Sequence, residues 1–197
     1  MNILSTNCLS GHIYKDVLQQ PYESPFVWCR IFPDSFIHLI DNWDNINFTK
    51  ISMTTKDMTT FYTTIDKCVT IRWSHYLFHQ SYSTPTQIGV NVYYNKIWEY
   101  IIEKYIDRLH RMRNLIDLVA VDDFYGNDDN SDYDLSKIIQ ICTKHKYKLF
   151  ICSNRLPQAN SDSLVIIPRA TIHGGSPGPG DIASECGQTI KTLLQAQ

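Results

Sequence analysis

Charge is scarce in this sequence. Only 19% of its 197 residues are Asp, Glu, Lys or Arg, and the formal charge is -2. A near-neutral chain has no broad basic field, so nucleic acid and anionic membrane surfaces are not expected partners. No apolar run reaches the roughly 18 residues that a spanning helix needs. The first residues, Met1 to Ser5, lack the basic start and long apolar core of a signal peptide. None of Cys8, Cys29, Cys68, Cys142, Cys152 and Cys186 forms a Cys-x-x-Cys pair, which leaves no zinc ribbon or thioredoxin-type motif. Without an export signal, reduced thiols and a cytoplasmic location are the expectation. A P-loop and the glycine fingerprint of dinucleotide folds are also missing.

Two further absences fall at one end. No aromatic residue follows Phe150, while five of the eight glycines lie at Gly174, Gly175, Gly178, Gly180 and Gly187. The stretch Gly174 to Gly180 suits neither a helix nor a strand. Residues 1–168 are therefore read as one α/β domain, and 169–197 as a flexible Gly/Pro-rich tail that adds little to the core.

What is present is enough to fold. Hydrophobic residues make up 43% of the chain and aromatics 12%. A chain of this length buries roughly 70% of the surface its unfolded form exposes. Asn2 to Thr6 reads as a short strand, followed by a turn-forming Asn7-Cys8-Leu9-Ser10-Gly11 and helical spacing from Ile13 to Leu18. Phe26 to Phe32 reads as a buried strand. Pro33-Asp34-Ser35 opens a helix with Phe36, Leu39, Ile40 and Trp43 on one face. A strand is expected near Thr49 to Met53, then a hairpin around Asp66-Lys67 and a polar loop over 80–86. The pattern Trp98, Ile101, Ile102, Tyr105, Ile106, Leu109, Met112 makes a long amphipathic helix from Tyr94 to Arg113. Leu115 to Val121 and Lys148 to Cys152 are continuous apolar strands of the kind found in parallel sheets. Asp134 caps the helix between them, which completes a βαβ unit. Leu164 to Ile167 adds a short strand. The expected fold is a single three-layer, Rossmann-like α/β domain with a mixed, mostly parallel sheet.

In such sheets ligands bind beyond the carboxyl ends of the strands. Here those ends are Asn7-Cys8, Asp122-Asp123 and Ser153-Asn154-Arg155. They meet at one edge only if all three strands run parallel. Cys8 precedes a helix start, where a thiol pKa falls and thiolate accumulates. His75 ends a predicted strand and is a distant base for it. The plainer alternative is a packed thiol and a core histidine. Arg108 and Arg111 share a helix face and have the planar donors of a phosphate or carboxylate clamp. Cations at a helix C-terminus, Arg113 among them, also arise from the helix dipole alone. Asp128-x-Asn130-x-Asp132 has the start of a calcium loop, but Tyr133 stands at the obligatory Gly position and Ile139 at the closing Glu. No metal is expected.

The N-terminal motif resembles a known family. Ser5-Thr-Asn-Cys-Leu-Ser-Gly-His-Ile-Tyr-Lys15, Pro21-Tyr-Glu-Ser-Pro25 and Ile31-Phe-Pro-Asp-Ser-Phe-Ile37 are similar to a bacterial family of exopolysaccharide biosynthesis proteins whose reaction is uncharacterised. Ile71-Arg-Trp-Ser-His-Tyr76 resembles its Phe-Leu-His-Tyr segment, and Arg108 to Asn114 its Arg-x-x-Arg-Ile-Asn element. Ser10 departs from the pattern at one Gly position, and the Trp before the arginines is replaced by Tyr105 or absent. The strand-Asn-Cys start, the Trp28 region and the Arg-rich helix are also similar to a family of papain-like cysteine peptidases. Both resemblances imply Asn7, Cys8, His75, Arg108 and Arg111 as site residues; the first adds Tyr76.

Together these readings lead to an enzyme of surface-glycan assembly. It would move a sugar, acyl or phosphoryl-type group from an activated donor, such as a nucleotide sugar or coenzyme A thioester, to a glycan acceptor. Arg108 and Arg111 would hold donor phosphates and His75 would be the base. Asn7 would stabilise developing negative charge, with Asp122, Asn154 and Tyr76 in the substrate site. The alternatives are a cysteine hydrolase using Cys8 and His75, and a non-catalytic glycan-binding protein.

Overall fold

The computed structural model describes residues 1–55, 61–73, 90–112, 114–123, 132–172 and 178–196. Along the chain, β1 (Ile3–Ser5) runs into α1 (Leu9–His12), which continues as a π-helix (Ile13–Leu18). β2 (Arg30–Ile31) and α2 (Pro33–Asp41) follow, then β3 (Ile51–Thr55), β4 (Phe61–Ile65) and β5 (Val69–Arg72). The long helix α3 (Val90–Arg111) leads to β6 (Leu118–Asp122), α4 (Leu135–His145) and β7 (Lys148–Cys152). β8 (Ala159–Asn160), β9 (Leu164–Ile167), a 3₁₀ turn (Arg169–Thr171) and α5 (Pro179–Gln195) complete the described chain. His75, Tyr76, Arg113 and the polar loop at 80–86 lie outside the described residues.

Strands β1, β6, β7 and β9 pair in parallel in that spatial order, and β8 adds an antiparallel edge. This is the expected mixed, mostly parallel sheet of an α/β chain, compatible with a single Rossmann-like domain. Continuous apolar strands are needed because both sheet faces are covered. Ile3, Leu118, Ala120, Phe150, Cys152 and Val165 pack on α1, the π-helix and α5. Their alternate neighbours, Leu4, Val119, Val121, Leu149, Ile151 and Ile166, join α2, α4 and the second sheet in the other core. The period-two alternation of a strand produces the two cores from single short runs.

The second sheet is antiparallel, with order β2-β5-β4-β3. The expected hairpin is present. Asp66 and Lys67 both have positive φ, 46° and 63°, and Cys68 N–H donates to the Ile65 carbonyl at 3.1 Å. The left-handed pair matches strand twist as a type I′ turn does. Asp66 then accepts from Asn47 N–H at 3.0 Å, tying the turn to the chain before β3. The two sheets meet where Ile31 N–H donates to the Thr6 carbonyl at 3.1 Å.

Three expectations need correction. Only Arg30–Ile31 of the 26–32 run is strand. Trp28 adopts a left-handed backbone, φ 65°, and the Cys29 thiol donates to the Phe26 carbonyl at 2.8 Å, so the chain turns before pairing. The inner stripe of α3 contains Ile101, Tyr105 and Arg108, whereas Ile106 is 42% exposed. Most consequentially, the tail expected after 168 contains a 17-residue helix. Gly178 and Pro179 start α5 rather than prevent it: Pro suits the first turn, and the Asp181 carboxylate accepts from Gly178 N–H at 2.8 Å. Lys148 Nζ bonds the carbonyls of Leu194 and Ala196 at the other end. Ile182, Ala183, Cys186, Ile190 and Leu193 are buried against the sheet. Among the described residues, no helix is long and apolar enough to cross a membrane.

The packing of α5 reverses what a loose tail implies for stability. Ile190→Ala should cost about 2–5 kcal/mol, and a thermal melt should show a loss of several degrees or more. Deleting 178–197 should leave little folded protein. A melting temperature unchanged by the deletion would contradict this packing.

Candidate functional site

Parallel pairing brings the carboxyl ends of β1, β6, β7 and β9 to one edge. Asn7 sits just beyond β1. Its Oδ1 accepts from Leu9 N–H at 3.0 Å and its Nδ2 donates to Asp122 Oδ2 at 2.7 Å. One amide thus closes the turn into α1 and fixes the carboxylate at the end of β6. Thr6 adds a reciprocal pair: its Oγ1 accepts from Asp122 N–H at 3.2 Å and donates to the Asp122 carbonyl at 3.3 Å. The other Asp122 oxygen accepts from Arg169 Nη1, which arrives from the turn after β9.

A second carboxylate is held similarly. Asp123 Oδ2 accepts from Ser153 Oγ and from Arg155 Nε, both at 2.6 Å, while Arg155 Nη2 donates to Asp123 Oδ1. That Nη2 also donates to the Tyr133 carbonyl at 2.9 Å. The Tyr133 hydroxyl in turn donates to the Ile31 carbonyl at 2.5 Å, joining the edge to the second sheet. Asn154 Oδ1 accepts from Ala170 N–H at 2.9 Å and anchors the Arg169 segment.

Exposure divides these groups into two layers. The side chains of Asp122 and Asp123 are 0% and 4% exposed, those of Arg169 and Arg155 11% and 32%. The carboxylates lie inside, and the arginines paired with them keep partial exposure, as do Asn7 and Asn154. Burial raises the Asp122 pKa; the Arg169 charge and the Asn7 hydrogen bond oppose that shift, and the Asp123 charge adds to it. Such pairing sets cationic groups at the rim without leaving buried charges unpaired.

Cys8 is buried next to this edge. Burial pushes its thiol up to about 12, and the Asp122 charge acts in the same direction. The expected lowering at a helix start does not prevail against this burial and the nearby carboxylate. The thiol is protonated and packed. Its expected pairing with His75 lies outside the described residues, as does Tyr76.

The expected arginine clamp is divided. Arg108 is buried, donates from Nη1 to the Val27 carbonyl at 3.2 Å and lies 5.1 Å from the Tyr22 ring centroid. Arg111 is at the surface, paired with Asp107 at 2.7 Å one helical turn back. Residues three apart share a face only loosely, and the core boundary runs between these two. Arg169 is not legible in the sequence, because the Gly/Pro-rich composition beyond Pro168 predicts a tail where the structure has a turn after β9. The strand-end rule that selects Asn7, Asp122 and Asn154 also selects Arg169 once β9 is placed parallel to β7. Among the described residues, no three His, Cys, Asp or Glu side chains cluster in a way that could hold a metal ion.

Residues 1–86 match the family described as a domain of unknown function (DUF1919). That similarity spans Asn7, Cys8, the π-helix and the second sheet, but stops before α3 and the rest of the parallel sheet. No curated protein matches the chain.

Two results are expected from this geometry. In the folded protein, Cys8 should resist iodoacetamide at pH 8 while the half-buried Cys68 reacts first, as read by peptide mass. Rapid Cys8 labelling would contradict a packed thiol. Gly11→Ala should destabilise by about 1–3 kcal/mol, because a Cβ there would stand 2.6 Å from Trp28 Cε2. Denaturant unfolding measures that loss, and an unchanged midpoint would refute the clash.

Proposed function

We propose that the chain is a transferase of surface-glycan assembly. It moves a sugar, acyl or phosphoryl-type group from a phosphorylated, activated donor to a glycan acceptor in the cytoplasm. The observation that carries this reading is the two-layer edge: buried Asp122 and Asp123 hold Arg169 and Arg155 at the carboxyl ends of parallel strands. Preorganised guanidiniums suit phosphate oxygens, whose charge they neutralise without further reorganisation. In this reading Arg155 and Arg169 replace Arg108 and Arg111 as the groups that hold donor phosphate. Asn154 and Asn7 supply amide contacts beside them. The glycan context comes from the resemblance of the Asn7-Cys8 and Tyr22-Glu-Ser-Pro25 motifs to exopolysaccharide biosynthesis proteins. A thiol pushed up to about 12 is a poor nucleophile, which argues against the cysteine hydrolase.

Thermal shift measurements with nucleotide sugars and coenzyme A test the proposal. A ligand present at 100 times its Kd stabilises the native state by about 2.7 kcal/mol, or roughly 5–10 °C for a chain of this size. Arg155→Gln and Arg169→Gln should each reduce that shift, and Arg111→Gln should leave it intact. The unliganded melting temperature of each variant separates lost binding from lost folding. No shift across the panel, or one that survives both rim substitutions, would overturn the reading.

A further inference from the structure

Transfer to a hydroxyl needs a group that accepts its proton. Among the described residues at the rim, Asn7 and Asn154 are amides, Arg155 and Arg169 are cations, Asp122 and Asp123 are buried and bonded, and the exposed Asp132 carboxylate is paired with Arg155 Nη1 at 3.7 Å. We propose that His12, oriented by Asp16, is the base, and that the acceptor reaches it through the cleft between the π-helix and α5. The acceptor's identity as a hydroxyl substrate rests on the transferase reading; the chemistry of the imidazole does not.

His12 ends α1 at the point where the winding changes to the π-helix. Such wide turns recur at functional sites. Its Nδ1 lies 2.8 Å from Asp16 Oδ2. A carboxylate can only accept, so Nδ1 carries a proton, and in the neutral ring Nε2 keeps its lone pair. Among the described residues, no group hydrogen-bonds Nε2. The Trp28 ring meets the imidazole edge-on, with centroids 5.0 Å apart at 74°. Gly180 covers another side, where a Cβ would stand 3.1 Å from His12 Cε1. The ring is therefore fixed by Asp16, Trp28 and Gly180, while its side chain stays 26% exposed.

Asp16 and Gly180, which flank the ring, also line a cleft of about 470 Å³ with Ser184, Gln188 and Lys191. A hydroxyl, an amide, an ammonium and a carboxylate are the partners a polyhydroxylated acceptor uses. His12 lies one helical turn beyond Cys8, whose carbonyl accepts from His12 N–H at 3.3 Å and whose thiol feels the Asp122 charge at the edge.

The step balances without a further reagent. The acceptor O–H gives its proton to Nε2 as its oxygen bonds to the transferred centre. The bond from that centre to the leaving group breaks, and the electron pair leaves with the departing group. Asp16 stabilises the imidazolium, which then returns the proton to the leaving group or to water. An ordinary surface pair four residues apart would merely add a few tenths of a kcal/mol to the helix.

Acylation by diethyl pyrocarbonate at pH 8, where imidazoles are unprotonated, distinguishes the two. Peptide mass should show His12 reacting several-fold faster than exposed His110, with Asp16→Asn removing the excess. The wild-type chain should hydrolyse p-nitrophenyl acetate, and His12→Gln should lower that rate at least tenfold. Ser184→Trp, at an exposed position lining the cleft, should slow acylation of His12. Labelling of His12 no faster than His110, hydrolysis that survives His12→Gln, or acylation unchanged by Ser184→Trp would each overturn the assignment. None of these measurements uses a donor. Their failure would remove His12 and leave the donor-binding test standing, whereas a missing thermal shift with a reactive His12 would remove the transferase reading alone.

Discussion

The parallel pairing of β1 with β6 is the constraint on which the rest of the structure depends. A strand of three residues, joined to a partner more than a hundred residues later, has little ladder energy of its own. It is held by carboxylates at both ends. Asp117 accepts from Asn2 N–H at 2.6 Å before β6 begins, and Asp122 accepts from Asn7 Nδ2 at 2.7 Å where it ends. Thr6 adds the reciprocal bonds to the Asp122 backbone. These contacts fix the register, and a slip of one residue would exchange Ile3 and Leu4 between the two cores.

That register has two consequences. It seats α1 and the π-helix on one sheet face, where α5 then finds an apolar surface to cover. It also places the start of α1 at the edge reached by β6, β7 and β9. Fold and candidate site are therefore coupled through the same Asn7 amide, which is at once a turn, a strand staple and a partner of the inner carboxylate.

The electrostatic order of the edge follows from burial. A carboxylate inside a dry sheet end must be paired or protonated, and each aspartate has recruited an arginine from a later segment. The same burial raises the Cys8 pKa, and no arginine opposes it there. With a carboxylate nearby, its thiolate has no stabilising charge, and the thiol becomes a core group. One environment thus favours arginine chemistry at the surface of the edge and disfavours thiolate chemistry beneath it.

Sequence by itself determined the class and most of the elements. The apolar runs at 118–122, 148–152 and 164–167 are continuous because both faces are buried, and Asp134 caps α4 by a local hydrogen bond to Lys137 N–H. These are properties of neighbours along the chain. The convergence of Asn7, Asp122 and Asn154 was legible too, given parallel strands. Tertiary structure alone decided which arginines serve the edge, that Arg108 is buried while Arg111 is not, that Cys8 stays protonated, and that a Gly/Pro-rich end begins a packed helix. The partners involved are 32, 47 and 115 residues apart for Asp123–Arg155, Asp122–Arg169 and Asn7–Asp122. Local propensity has no reach over such separations. Burial and charge pairing, which set the chemistry of this edge, exist only once distant segments share one low-dielectric space.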